Sequence, residues 1–125
     1  MSLQFERVQW MPSPPLVPDD GPLDIGHLRR MTMGDASLEH EVLAMFAAQA
    51  SELIEKIVKL PDNVGALTHK LRGSAEAIGA FRITDAAEWL ETMLRDKADH
   101  GEALMTLTDA VLEARAEIDG MLKRS

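Results

Sequence analysis

Apolar positions recur along most of the chain at the three-and-four spacing that gives a helix one buried face. Asp24 is placed to cap a short first helix, with Ile25, Leu28 and Met31 on its apolar side and an end near Met33-Gly34. Asp35 or Ser37 then caps a long helix from about Leu38 to Leu60. Its stripe is Leu38, Val42, Leu43, Met45, Phe46, Ala50, Leu53, Ile54, Ile57 and Val58, wide enough to meet two neighbours. Pro61 stops that helix and Asp62 is the expected N-cap of the next, which carries Val64, Leu67, Leu71, Ala75 and Ile78 and turns at Gly79. A further helix starts at about Arg82 or Thr84 and runs to Ala98, with Ile83, Ala86, Ala87, Leu90, Met93 and Leu94 apolar. After a break at Asp99-His100-Gly101 the last helix spans about Glu102 to Leu122, with Leu104, Leu107, Val111, Leu112, Ala114, Ile118, Met121 and Leu122. Long amphipathic helices with short connections pack as antiparallel neighbours. The pattern therefore predicts an all-α chain: an up-and-down four-helix bundle with a short extra helix in front.

The first 22 residues break the pattern. They hold Pro12, Pro14, Pro15, Pro18 and Pro22, which exclude regular helix, and Phe5, Val8, Trp10, Met11, Leu16 and Val17, which are too apolar for a solvated linker. The expected division is an extended arm over 1–22, lying across the domain with Trp10 partly buried or else serving as a peptide for a partner groove or a dimer contact, and a helical domain over 23–125.

Composition narrows the function classes. A chain of 125 residues, 46% apolar, has the size of one domain with one core. It has no cysteine, so neither a disulfide framework nor a thiolate metal site is available. A net charge of −8 argues against general nucleic-acid binding. No apolar run is long enough to span a membrane, and the start has no secretory pattern, so a cytoplasmic location is expected. Phosphate-cradling glycine loops are missing. A di-metal carboxylate bundle needs Glu-x-x-His pairs, whereas Asp24, Ser37, Ala66 and Lys97 stand three residues before the four histidines. His27, His40 and His100 are accordingly read as ordinary surface or boundary residues. Neither a metal nor a cofactor of the chain's own is expected, nor any autonomous kinase or ATP-binding activity.

His69 stands apart. At roughly 100° per residue it lies about 170° from the centre of the third helix's apolar face, so it points to solvent. Its neighbours on that outer face are Gly65, Ala66, Gly73 and Ala77, with Glu76 at the margin. Exposed helix faces usually carry long charged side chains, and a mid-helix glycine such as Gly73 costs about 1 kcal/mol relative to alanine. A bare surface of this kind suits the close approach of another molecule. Lys70 and Arg72 flank the histidine and Arg82 opens the next helix, a cationic group on an acidic chain. Such side chains meet phosphoryl oxygens with charge-assisted hydrogen bonds. An imidazole, with an ordinary pKa of about 6.5, is mostly neutral at pH 7 and offers one ring nitrogen as a nucleophile.

The segment THKLRGSAEAIGAFRITDAAEWLE, Thr68 to Glu91, resembles the signature of histidine phosphotransfer (HPt) domains, and with its helical context the likeness covers about residues 22–122. The matching positions are His69, Arg72, Gly73, Ser74 and Gly79, followed by a second block at Ile83, Ala87, Leu90 and Glu91. Ala87 stands where cysteine is frequent, Phe81 where leucine is, and Glu91 where some relatives carry glutamine. The resemblance implies a phosphorelay intermediate. A receiver domain bearing phospho-aspartate docks around His69, Nε2 attacks in line, and the phosphoryl group passes to the aspartate of a second receiver. The partners so implied are receiver domains of a hybrid histidine kinase and of response regulators, which bring the aspartate and Mg²⁺; the chain itself is expected to be a monomer. Lys70 and Arg72 would steady the phosphoryl oxygens, Gly73 would admit the receiver's loops, and Ser74 would orient the side-chain network. Glu91 is left with three possible partners: Ser74, the imidazole, or water. The alternative is a helical docking module that binds a receiver or kinase without carrying phosphate.

Overall fold

Asp24 and Asp35 both act as N-caps: Asp24 accepts a hydrogen bond from the His27 amide at 3.1 Å, and Asp35 from the Leu38 amide at 3.1 Å. Of the two residues that could have capped the long helix, Asp35 does so. The computed structural model describes residues 21–124. Within them the elements are α1 (Ile25–Met31), α2 (Ala36–Ile57), α3 (Val64–Ile78), α4 (Phe81–Arg95) and α5 (Gly101–Arg124). The four long helices pack in chain order, α2 on α3, α3 on α4 and α4 on α5, and α2 closes the ring against α5. The fold is the expected all-α bundle with a short helix in front. Leu43, Ile57, Leu71, Ile83, Leu90, Leu107 and Ile118 are fully buried at its centre. The predicted arm over 1–22, including Trp10, lies outside the described residues except for Gly21 and Pro22. No helix among the described residues is long and apolar enough to cross a membrane.

Several boundaries differ from the sequence pattern. Helix α2 ends at Ile57, short of Leu60, whose backbone turns left-handed at φ 53° just before Pro61. Asn63, not Asp62, occupies the N-cap position of α3, and it makes no side-chain capping bond. Helix α4 begins at Phe81, directly after Gly79-Ala80, and ends at Arg95. The wide stripe on α2 is only partly buried: Phe46, Ala50, Leu53, Ile54 and Ile57 join the core, but Val58 and Met45 stay exposed, Met45 at 69%. Leu112 on α5 is also outside the core. Helical spacing identifies an apolar arc, but not which flank of that arc has a neighbour.

The corner between α3 and α4 is where α1 attaches. Gly79 adopts φ +89°, its amide closes the helix onto Ala75 and Glu76, and its carbonyl accepts the Asp24 amide at 2.9 Å. His27 adds a second tie. Its Nε2 lies 3.0 Å from the Ala77 carbonyl, and its ring meets Phe81 edge-on at 5.3 Å. The histidine read as an ordinary boundary residue therefore fastens α1 across the corner.

Candidate functional site

The rotation of α3 is fixed by more than its apolar stripe. Leu71 and Ala75 are fully buried, and so is Thr68, whose hydroxyl donates to the Val64 carbonyl at 2.8 Å. A threonine that satisfies its own hydroxyl within the helix can join the core. With Thr68 and Leu71 inward, His69 faces out, its side chain 67% exposed. Gly65, Ala66, Gly73 and Ala77 are exposed beside it, as the pattern predicts.

Helix α4 supplies the other half of the site. Glu91 Oε2 lies 3.1 Å from His69 Nδ1, so of the three partners open to Glu91 it takes the imidazole. Arg72, one turn along α3, reaches both groups: Nε is 2.6 Å from Glu91 Oε1 and one terminal nitrogen is 3.1 Å from His69 Nδ1. The Arg72 Nε and Glu91 Oε1 atoms are shut off from solvent and make no aligned hydrogen bond, so each is the other's counter-charge in a close ion pair. Their side chains are 28% and 21% exposed, against 67% for the histidine they support. Nδ1 thus takes both contacts, while Nε2 makes no hydrogen bond among the described residues.

The remaining predicted residues divide. Lys70 is exposed next to His69 and makes no ion pair among the described residues. Arg82 is not brought to the histidine; it pairs with Glu113 of α5 at 3.1 Å, on the far side of α4. Ser74 is on the other flank of α3 from Glu91. It lines an open depression of about 240 Å³ between α2 and α3 with Val42, Met45, Phe46, Gln49, Ala77 and Ile78. Its hydroxyl makes no hydrogen bond to His69 among the described residues. The pairing of Arg72 with Glu91 is the feature that sequence reasoning missed. Lys70 and Arg72 carry the same charge in the sequence, and only packing against α4 distinguishes them.

Among the described residues nothing in the packing requires glycine at position 73: a Cβ built there meets no atom of them within 4 Å. A Gly73→Ala variant is therefore expected to gain about 0.5–1 kcal/mol of stability in urea unfolding, the usual mid-helix difference. The same variant is expected to lose about tenfold in the receiver phosphotransfer that the sequence resemblance implies, because an added methyl would meet a receiver docked at His69. Loss of stability, or unchanged transfer, would remove the case for a close approach at this point.

The family model for the Hpt domain matches residues 41–124. A search of curated proteins finds no match. Among solved structures, a rice protein assigned as a histidine-containing phosphotransfer protein superposes with a TM-score of 0.71 at 24% identity, over 82% of this chain and 81% of that one. It supports the helical fold, while the family model covers the helices that carry His69, Arg72 and Glu91. The chain belongs to the Hpt domain family, and its function is histidine phosphotransfer in a phosphorelay.

Proposed function

We propose that His69 is the residue that carries the phosphoryl group, taken from the phospho-aspartate of one receiver domain and passed to the aspartate of another. The observation that carries this reading is the contrast within the site: an imidazole 67% exposed among residues of minimal size, standing on a partly buried Arg72–Glu91 pair. With hydrogen on Nδ1 donated to Glu91, the Nε2 lone pair points at solvent. Nε2 attacks phosphorus, the bond from phosphorus to the aspartate oxygen breaks, and the aspartate leaves as a carboxylate. The ring then carries phosphoryl on Nε2 and hydrogen on Nδ1, and the Glu91 carboxylate offsets the positive charge that develops on it. Transfer onward is the same step in reverse with a second aspartate.

The receiver would contribute the aspartate and Mg²⁺, and the cation would supply neutralisation of the phosphoryl group's negative charge. Lys70 supplies a mobile positive charge at the rim, and Arg72 a second one once it turns from Glu91. Gly65, Ala66 and Gly73 leave room for the partner's loops. The depression beside Ser74, with exposed Met45 at its edge, offers apolar contact area next to the acceptor. Hybrid kinases and response regulators in the cytoplasm are the partners this site suits, with the chain acting as a monomer.

The test mixes the purified protein with a phosphorylated receiver domain and Mg²⁺ and follows label between the two. Acid-labile, alkali-stable phosphate is expected on this chain, together with loss from the receiver. Binding without any transfer would instead support an adaptor that docks and carries nothing.

A further inference from the structure

His69 Nδ1 has two neighbours that cannot both be satisfied. Glu91 Oε2, at 3.1 Å, is a carboxylate oxygen and only accepts, so it requires hydrogen on Nδ1. The Arg72 terminal nitrogen, also at 3.1 Å, only donates, so it requires a lone pair on Nδ1. In a neutral ring these are different tautomers. With hydrogen on Nδ1, Nε2 has a free lone pair and is nucleophilic; with hydrogen on Nε2, the outward nitrogen is blocked. No other charged side chain among the described residues pairs with the ring.

We propose that Arg72 is a tautomer-holding residue: in the resting protein it keeps His69 with hydrogen on Nε2, and an incoming phosphoryl group draws it off Nδ1, so that Glu91 then fixes the reactive form. The inference rests on the reading of His69 as acceptor and adds a gate to it. The chemistry favours the exchange, since a guanidinium bonds an anionic phosphoryl oxygen more strongly than a neutral ring nitrogen. Arg72 can pivot without leaving the helix surface, being one turn from His69. The tautomer change balances through solvent: one proton leaves Nε2 and another arrives on Nδ1, the ring staying neutral, at a side chain open enough for water to carry both. The acceptor would then be least nucleophilic when no phosphoryl group is present.

The tautomer is measured directly from the ring nitrogen shifts and nitrogen–proton couplings of ¹⁵N-histidine-labelled protein, at about pH 8.5, above the ordinary imidazole range. In the wild type the Nε2–H form is expected to be the majority. Arg72→Met, which keeps an apolar stem, is expected to raise the ratio of Nδ1–H to Nε2–H at least fivefold, and Arg72→Lys to give a smaller rise. Glu91→Leu is expected to leave Nε2–H dominant. Saturating the wild type with a receiver whose aspartate carries beryllofluoride, a phosphoryl mimic, is expected to shift it to Nδ1–H. Amide spectra establish that each variant is folded and that the complex is saturated. An unchanged or opposite ratio in folded Arg72→Met, or a wild type already almost wholly Nδ1–H, would overturn the proposal, as would a complex that stays Nε2–H. None of these readouts involves phosphoryl transfer, so the gate can fail while His69 still takes phosphate, and the acceptor reading can fail in a transfer assay while the ratio still moves.

Discussion

Gly79→Ala is expected to cost about 2–5 kcal/mol in urea or thermal unfolding, a large share of the ~5–15 kcal/mol that holds a domain of this size folded. Two effects add. Gly79 sits at φ +89°, where an L side chain costs about 1–2 kcal/mol. A Cβ there would also stand 3.1 Å from the Asp24 carbonyl oxygen and 3.1 Å from the His27 ring, and crowding in a packed place costs about 1–3 kcal/mol. Neither neighbour can yield freely. The Asp24 backbone is bonded to Gly79 itself, and the His27 ring is held between the Ala77 carbonyl and Phe81. The loss should appear first as detachment of α1, read as faster amide exchange over residues 25–31. This outcome separates the two glycines of the motif. Gly79 is needed by the fold, whereas the proposed reading assigns Gly73 to the partner, so alanine should destabilise at one and stabilise at the other. Equal stability changes at both positions would contradict that division.

His69→Gln is expected to abolish phosphate uptake from a phosphorylated receiver, a loss of at least about 10³-fold, the scale seen when a reacting group is removed. Stability should change by no more than about 1 kcal/mol, because the side chain is largely exposed and buries little apolar surface. Receiver binding should persist, since Lys70, Gly73 and the Met45 depression are untouched. Binding retained with transfer lost is the signature of an acceptor. Transfer retained would place the phosphate on another residue.

The backbone architecture was legible because each long helix carries a strong period and several starts and stops are chemically explicit, Asp35 as a start and Pro61 and Gly79 as stops. The outward direction of His69 followed from its place opposite Leu71 and Ala75, and needed no knowledge of what packs beside it. What spacing along one helix could not give was contact between helices. Glu91 is 22 residues from His69, and its choice of the imidazole over Ser74 depends on how α4 lies against α3. Arg82 resembles Arg72 in the sequence, yet it faces Glu113, 31 residues away on α5. Met45, Val58 and Leu112 extend apolar arcs, yet they are exposed because no helix among the described residues covers those flanks. The differences therefore lie in side-chain partners, exposed flanks and helix ends, not in which helices form.

The central claim is that Nε2 of His69 is the acceptor. Phosphorylating the wild type from a receiver, then locating the phosphate by fragment mass spectrometry and identifying the ring isomer by ³¹P–¹⁵N NMR, tests it most directly. The account predicts a single phosphohistidine, at His69, with phosphorus bonded to Nε2 and hydrogen on Nδ1. Phosphate on Nδ1, on any other residue, or nowhere on the chain after the receiver has lost its own, would contradict it.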